Sequence, residues 1–258
     1  MKSNKIILFL FVFLFLAQVS LEAKEAIILY TGQTHAMLYP CSCPVQQDGG
    51  IARRATLVKE LRKKFPGLLL LDCGNFTAGG QLDEYTQNIQ LDMQRSEVNF
   101  KALALMKYDA VGIGSDEFNF GREFFLKNVK QDRPAYLAVN LGTDKVLPYI
   151  IKDSGGVKIA LIGLAGLAAK QKTEGLKISP PEEVARIVSR LRIDEGVQVL
   201  IILSTQGESE DLKLISKVKG IDIIFECSHR TIFIHRQPFF FLGQILTDHG
   251  LGEHTLIP

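Results

Sequence analysis

The sequence predicts an α/β fold in which a mostly parallel sheet carries helices over both faces. Three observations predict it. Short, wholly apolar runs recur along the chain, as strands buried on both faces do. Segments with apolar residues at helical spacing stand between them. Clusters of Gly, Pro, Asn and Asp separate the two kinds. The 258 residues, 47% apolar and 22% charged, suffice for one domain with a sizeable core and exclude a disordered polymer.

The elements follow in order. Lys2 and Lys5 precede an apolar stretch from Ile6 to Ala17, and small or polar residues follow from Ser20 to Ala23. That is the layout of a secretory signal, and the stretch falls short of the roughly 20 residues a membrane span needs. Residues 1–23 are therefore read as a signal, or as an N-terminal anchor if uncut. Residues 24–258 are read as one exported domain, periplasmic or extracellular. Ala26–Tyr30 reads as a buried strand, followed by a loop to Gly50. Ile51, Ala55, Val58, Leu61 and Phe65 then give helical spacing, ended by Pro66-Gly67. Leu68–Leu71 is a second strand, Val98–Met106 a helix and Ala110–Ile113 a third strand. Further strands are expected at Tyr136–Val139, Lys158–Ile162, Val199–Leu203 and Ile221–Phe225. Ser154-Gly155-Gly156 predicts a hairpin between Tyr149–Lys152 and Lys158–Ile162. Pro180-Pro181 opens a helix to about Leu191. Phe239–Leu246 and His254–Ile257 read as closing strands.

In such sheets, sites form in loops at the carboxyl ends of strands. The polar clusters fall at those places: Gln33–His35, Asp72–Asn75, Ser115–Glu117, Thr205-Gln206 and Cys227–His229. The net charge of +2 without runs of Lys or Arg gives no reason to expect a nucleic-acid partner. A small molecule or another exported protein is the expected partner, and no membrane span is expected beyond the signal segment.

Taken in order, these loops resemble those of the metallophosphoesterase (calcineurin-like) superfamily, above all the catalytic domain of secreted 5′-nucleotidases and UDP-sugar hydrolases. Thr31-Gly32-Gln33-Thr34-His35 is similar to the family's T-N-D-T-H, and Gly49-Gly50-Ile51-Ala52-Arg53 to G-G-I/L-A-R. Leu70-Leu71-Asp72-Cys73-Gly74-Asn75 resembles L-L-D-A-G-D. Gly114 to Gly121 stands where the family has G-N-H-E-F-D-Y-G, Leu203-Ser204-Thr205 for L-S-H, and Cys227-Ser228-His229 for H-S-H. The likeness runs from about Ile28 to Thr255. It implies a four-layer αββα sandwich of two packed mixed sheets flanked by helices. No separate C-terminal nucleotidase domain is read within residues 24–258.

The family holds two metal ions in these loops. Carried over by position, one ion would take Gln33, His35, Asn75 and His229, and the other Asn75, Ser115, Thr205 and Cys227. The family's catalytic His–Asp pair falls on Asp116 and Asn119. Only His35 and His229 keep the family's residue type. Two divalent ions about 4 Å apart repel by roughly 16 kcal/mol at an effective dielectric of 20, and neutral Gln33 and Asn75 cannot offset that as carboxylates do. Asp116 would also repel an incoming phosphate. A dinuclear centre and ordinary phosphatase activity are therefore not expected.

Cys41, Cys43, Cys73 and Cys227 fall near the same loops, with His35 and His229. A Cys/His cluster suits one divalent metal, zinc first, or thiol exchange. Structural bridges, or a buried apolar role for Cys73, are the plainer alternatives. Arg53, at a helix start after two glycines, is a candidate anion contact, against the plainer role of a solvated helix face. Three functions stay open: a single-metal or thiol site, residual 5′-nucleotidase-like hydrolysis, and non-catalytic binding of a periplasmic partner.

Overall fold

Alternation along the strands divides the apolar residues among three cores. The computed structural model describes residues 25–42, 44, 47, 49–130, 134–173, 182–227, 231–234, 245–247 and 250–252. The first half of the chain gives β1 (Ile28–Thr31), α1 (Ile51–Lys64), β2 (Leu69–Asp72), α2 (Ile89–Leu105), β3 (Ala110–Gly112), α3 (Gly121–Asn128) and β4 (Ala135–Leu137). The second gives β5 (Tyr149–Ser154), β6 (Val157–Leu164), α4 (Glu182–Ile193), β7 (Val199–Ser204), α5 (Glu208–Lys217), β8 (Ile223–Glu226), β9 (Thr231–Ile234), β10 (Ile245–Thr247) and β11 (Gly250–Gly252).

The strands form a six-stranded sheet of order β11-β10-β1-β2-β3-β4 and a five-stranded sheet of order β5-β6-β7-β8-β9. The centre of each is parallel, and antiparallel strands sit at β11, β5 and β9. Leu69 and Leu71 face Ile159, Leu161, Ile201 and Leu203 in the core between the sheets. Their neighbours Leu68 and Leu70 pack outward with Val58, Phe100 and Phe125 from α1, α2 and α3. Ile162, Leu200 and Ile202 pack outward against Val184, Val188 and Leu214 from α4 and α5. The order is helix, sheet, sheet, helix: the four-layer sandwich that the resemblance implies. Periodicity alone suggested one sheet because a strand face covered by a helix and one covered by another sheet carry the same apolar pattern.

The predicted hairpin is present. Ser154 pairs with Val157 across Gly155 and Gly156, whose φ angles are 58° and 76°, as the favoured two-residue hairpin turn requires. Helix α2 begins at Ile89, nine residues before the start expected at Val98; the Asn88 side chain caps it by accepting from Leu91 N at 3.0 Å. Its first turns hide from pattern reading because Ile89 and Leu91 are exposed. Helices α3 and α5 went unread: each is short, and in each Gly stands directly at the start. The closing strands are β10 and β11. Residues 239–244 and 254–257, Pro180-Pro181 and the signal segment 1–23 lie outside the described residues. Among the described residues no helix is long and apolar enough to cross a membrane.

Candidate functional site

Strands β1 and β2 run parallel with Thr31 beside Asp72, so the loops that follow them leave the sheet side by side. They stay joined: Gln33 N donates to Gly74 O (3.0 Å), His35 N to Asn75 O (3.3 Å) and Ala36 N to Phe76 O (2.8 Å). This pairing forces Gln33, His35, Ala36 and Asn75 to positive φ, between 42° and 54°. Such a conformation costs of the order of 1–2 kcal/mol per non-glycine residue, so other contacts must hold it.

Two side chains do so. Glu117, wholly buried, accepts from Asn75 N (3.1 Å), Phe76 N (2.7 Å) and Gly114 N (2.6 Å). Burial first, and then the Asp116 charge, push its carboxyl up to about 7 against the pull of those three amides. Arg95 donates to His35 O (2.9 Å) while its other nitrogen is held by Asp83 (3.1 Å) and Asp92 (2.8 Å). Below the loops, Thr31 Oγ1 donates to Asp72 Oδ2 (2.5 Å) and lies 3.0 Å from Tyr108 OH.

The loop after β3 brings Asp116 to the same place. Its Oδ2 is 3.5 Å from His35 Nδ1, with no aligned hydrogen bond, since Nδ1 is buried without a partner. The approach depends on Gly80, where a Cβ would stand 2.2 Å from Asp116 Oδ2. On the other side, Lys172 Nζ lies 3.4 Å from Asp116 Oδ1 and donates to Asn119 Oδ1 at 2.5 Å. Burial works to raise the Asp116 carboxyl; the His35 contact, then Lys172, outweigh it and hold the group below its ordinary value. Beside this cluster a cavity of about 680 Å³ is lined by Phe118, Asn119, Gly121, Arg122, Gln171 and Lys172.

The second sheet supplies Thr205 and Cys227. Thr205 Oγ1 accepts from Gly166 N (3.0 Å) and donates to Ile113 O (3.1 Å). Cys227 Sγ donates to Gly74 O (3.0 Å) and packs with Cys73 in the core between the sheets. A Cβ on Gly32 would lie 3.4 Å from Cys227 Sγ and 3.9 Å from Cys73 Sγ, so the two thiols meet at that glycine. Burial first pushes both thiols well up; nearby carboxylates add to it at Cys73, and at Cys227 the neighbouring Cys73 does, followed by carboxylates. Cys41 is buried in the first loop and outside that core cluster. Cys43 and His229 lie outside the described residues.

These donors can be tested against a pair of metal ions. Of the carried-over positions, Thr205 and Cys227 spend their side-chain atoms on backbone groups. Asn75 Oδ1 accepts from Asp116 N (3.3 Å), and Ser115 Oγ donates to Asp116 Oδ1 (3.4 Å). Of the carboxylates at these loops, Glu117 is spent on three backbone amides and Asp116 faces the Lys172 ammonium. Gln33 Nε2, Thr34 Oγ1 and His35 Nδ1 are buried without a hydrogen-bond partner among the described residues. Among the described residues no group of three or more His, Cys, Asp or Glu is placed to hold a metal. The donors of the described residues, which exclude His229, do not fit two divalent ions. Arg53 is exposed, and its guanidinium turns onto Gln47 O. Sequence reading missed Lys172, Arg95 and the clamping role of Glu117. Lys172 lies beyond the end of β6, and nothing local in the sequence marks it as a partner of Asp116.

No family model matches the chain. Over 235 residues it is 29% identical to the snake venom 5′-nucleotidase of Crotalus adamanteus, covering 82% of this chain and 38% of that protein. It is 29% identical over 193 residues to the trifunctional nucleotide phosphoesterase protein YfkN of Bacillus subtilis, covering 72% of this chain and 12% of that one. The solved 5′-nucleotidase precursor of Thermus thermophilus superposes with a TM-score of 0.68 at 23% identity, over 78% of this chain and 41% of that chain. The chain thus spans well under half the length of these proteins.

Proposed function

We propose, for a chain that resembles the 5′-nucleotidase branch of the metallophosphoesterases and has their four-layer fold, that the former catalytic cleft now binds rather than hydrolyses. In this reading the protein is exported and takes a small molecule or another exported protein at the strand-end loops around His35, Asp116, Asn119 and Lys172. One observation carries the reading. The donor atoms at Asn75, Ser115, Thr205 and Cys227 are neutral and committed within the protein, and the one carboxylate beside His35 faces Lys172. Two-metal hydrolysis needs paired ions to stabilise both the attacking and the leaving oxygen, and nothing in this donor set offsets their repulsion. Thiol exchange with an outside partner has less support. A reactive cysteine is exposed and easily ionised, whereas Cys73 and Cys227 are 0% and 2% exposed and resist ionisation.

A second reading, residual phosphoester hydrolysis, draws on the names of the relatives alone. One assay separates the two. The full chain, supplied in turn with Mn²⁺, Zn²⁺, Co²⁺ and Mg²⁺, is expected to leave AMP, p-nitrophenyl phosphate and its diester unhydrolysed. Metal-dependent turnover that disappears in Asn75→Ala would overturn the binding reading.

A further inference from the structure

We infer that the end of the molecule opposite the candidate site is a membrane-facing surface that rests on anionic phospholipid headgroups. The inference lies outside the cleft and does not depend on what the cleft binds.

The placement follows from topology. Cys227 Sγ, after β8, reaches Gly74 O after β2, and Thr205 Oγ1, after β7, reaches Ile113 O after β3. The carboxyl ends of both sheets therefore point the same way. Their amino ends share the opposite pole, and each helix that precedes a parallel strand finishes there. The contacts agree. Ser154 Oγ of the β5–β6 hairpin donates to Gly67 O just ahead of β2 (2.7 Å), and Arg62 near the end of α1 donates to Lys107 O just past α2 (2.8 Å).

Two kinds of side chain gather on this pole. Lys63 and Lys64 close α1, Lys107 follows α2, Lys130 follows α3, and Lys217 and Lys219 stand at the end of α5. All are exposed, and none is in an ion pair among the described residues. The acids of the pole are partly spent: Asp109 pairs with Lys152 (3.4 Å) and Glu195 with Lys158 (3.6 Å), while Glu25, Asp153 and Asp194 stay exposed. Alongside stand two large apolar residues at helix ends, Leu105 of α2 and Ile193 of α4, 82% and 77% exposed. The helix dipole accounts for lysines at helix carboxyl ends. It gives no reason to expose leucine and isoleucine beside them. Cations that attract anionic headgroups, with apolar side chains that enter the acyl boundary, are the two components of binding at a membrane surface.

The chain also enters the fold at this pole. Glu25 O packs so closely on the hairpin turn that a Cβ on Gly155 would lie 1.9 Å from it, and Leu69 N donates to Ile27 O (2.9 Å). In the sequence the apolar run Ile6–Ala17 stands shortly before Glu25. Retained as an anchor, that run would bring this pole to the bilayer. Cleaved, it leaves the lysines and the two apolar residues to hold the surface. In both cases the cleft, at the other ends of the strands, faces away from the lipid.

The test is a lysine footprint. The full chain is mixed with vesicles of phosphatidylcholine containing about 30% phosphatidylglycerol, or of phosphatidylcholine alone. It is then acetylated with a water-soluble reagent and read lysine by lysine by mass spectrometry. On the anionic vesicles, labelling of Lys63, Lys64, Lys107, Lys130, Lys217 and Lys219 is expected to fall at least about threefold below that on the neutral ones, with Lys172 at the other pole unchanged. The protection should fade as salt rises from about 0.1 to 1 M. In a Lys63→Glu, Lys64→Glu, Lys107→Glu variant, protection at Lys130, Lys217 and Lys219 is expected to disappear. It should persist in Arg53→Glu, Arg122→Glu, Arg186→Glu, an equal change in net charge placed near helix starts. The inference is overturned if the pole's lysines react alike on both vesicles, the result expected of a chain held by its N-terminal segment alone. It is equally overturned if the second variant loses protection as the first does. Neither readout involves the cleft, so this inference and the hydrolysis assay fail separately.

Discussion

The site has two halves, one on each sheet, and they have gone different ways. On the six-stranded sheet, Gln33, His35 and Asn75 stand in left-handed conformations, and Gln33, Thr34 and His35 each keep a buried polar atom without a partner. On the five-stranded sheet, Thr205 and Cys227 direct their side-chain hydrogen bonds at backbone groups, and Cys227 is part of the core. Strain and unsatisfied polar groups persist only where surrounding contacts hold them in place. The first half is therefore still organised as a site by Glu117 and Arg95, and the second has been absorbed into the packing.

The sharpest way to break that contrast is to remove the clamp. Glu117→Ala leaves the buried amides of Phe76 and Gly114, and the partly buried amide of Asn75, without their acceptor. A buried donor left unsatisfied costs about 1–3 kcal/mol. The expected loss is about 3–4 kcal/mol in urea unfolding, the largest single effect in the site. A loss below about 1 kcal/mol would mean that the strained loops do not depend on this carboxylate, and the distinction between the halves would fall with it.

Each half also carries a carboxyl group that burial, first of all, pushes up to about 7: Glu117 in the first and Asp211 in the second. Asp211 accepts from Ser204 Oγ and Gln206 Nε2, both at 2.7 Å. The unfolded chain releases these protons near pH 4, whereas the folded chain keeps them until about pH 7. Between those limits the folded state binds more protons, so stability falls as pH rises and levels off above pH 7. The melting temperature is expected to drop from pH 5 to pH 8, with about 2–3 kcal/mol from each group. Asp211→Asn should remove the second half's share of the slope and leave the share of Glu117. A melting temperature that climbs over this range, or an Asp211→Asn slope equal to wild type, would contradict the assignment.

What the sequence shows and what it hides divide along the same line. The strands and their end loops were legible because apolar runs and turn residues are local signals, and the motif order placed Gln33, His35, Asn75, Asp116 and Thr205 at the correct strand ends. Two sheets could not be read from periodicity, since Leu69 facing a sheet and Leu70 facing a helix look alike in the sequence. Lys172 was hidden for a different reason. Its partners Asp116 and Asn119 lie 56 and 53 residues away, and a single lysine in a Lys-rich segment carries no mark of an ion pair. All four cysteines were expected to gather at these loops; the structure brings Cys73 and Cys227 together at Gly32 but leaves Cys41 outside that core, and Cys43 lies outside the described residues. The resistance of Cys73 and Cys227 to ionisation comes from burial by the second sheet, which only the tertiary fold supplies.

The smallest expected effects fall on the absorbed half, and they test whether it is truly separate. Thr205→Val strips Gly166 N of its acceptor and Ile113 O of one donor, and Cys227→Ala removes a small buried thiol. Each should cost about 1 kcal/mol of stability. If the halves are separate, Glu117→Ala combined with Thr205→Val or with Cys227→Ala should lose the sum of the two single losses to within about 0.5 kcal/mol in urea unfolding. A coupling above about 1 kcal/mol in either double variant would join the halves again.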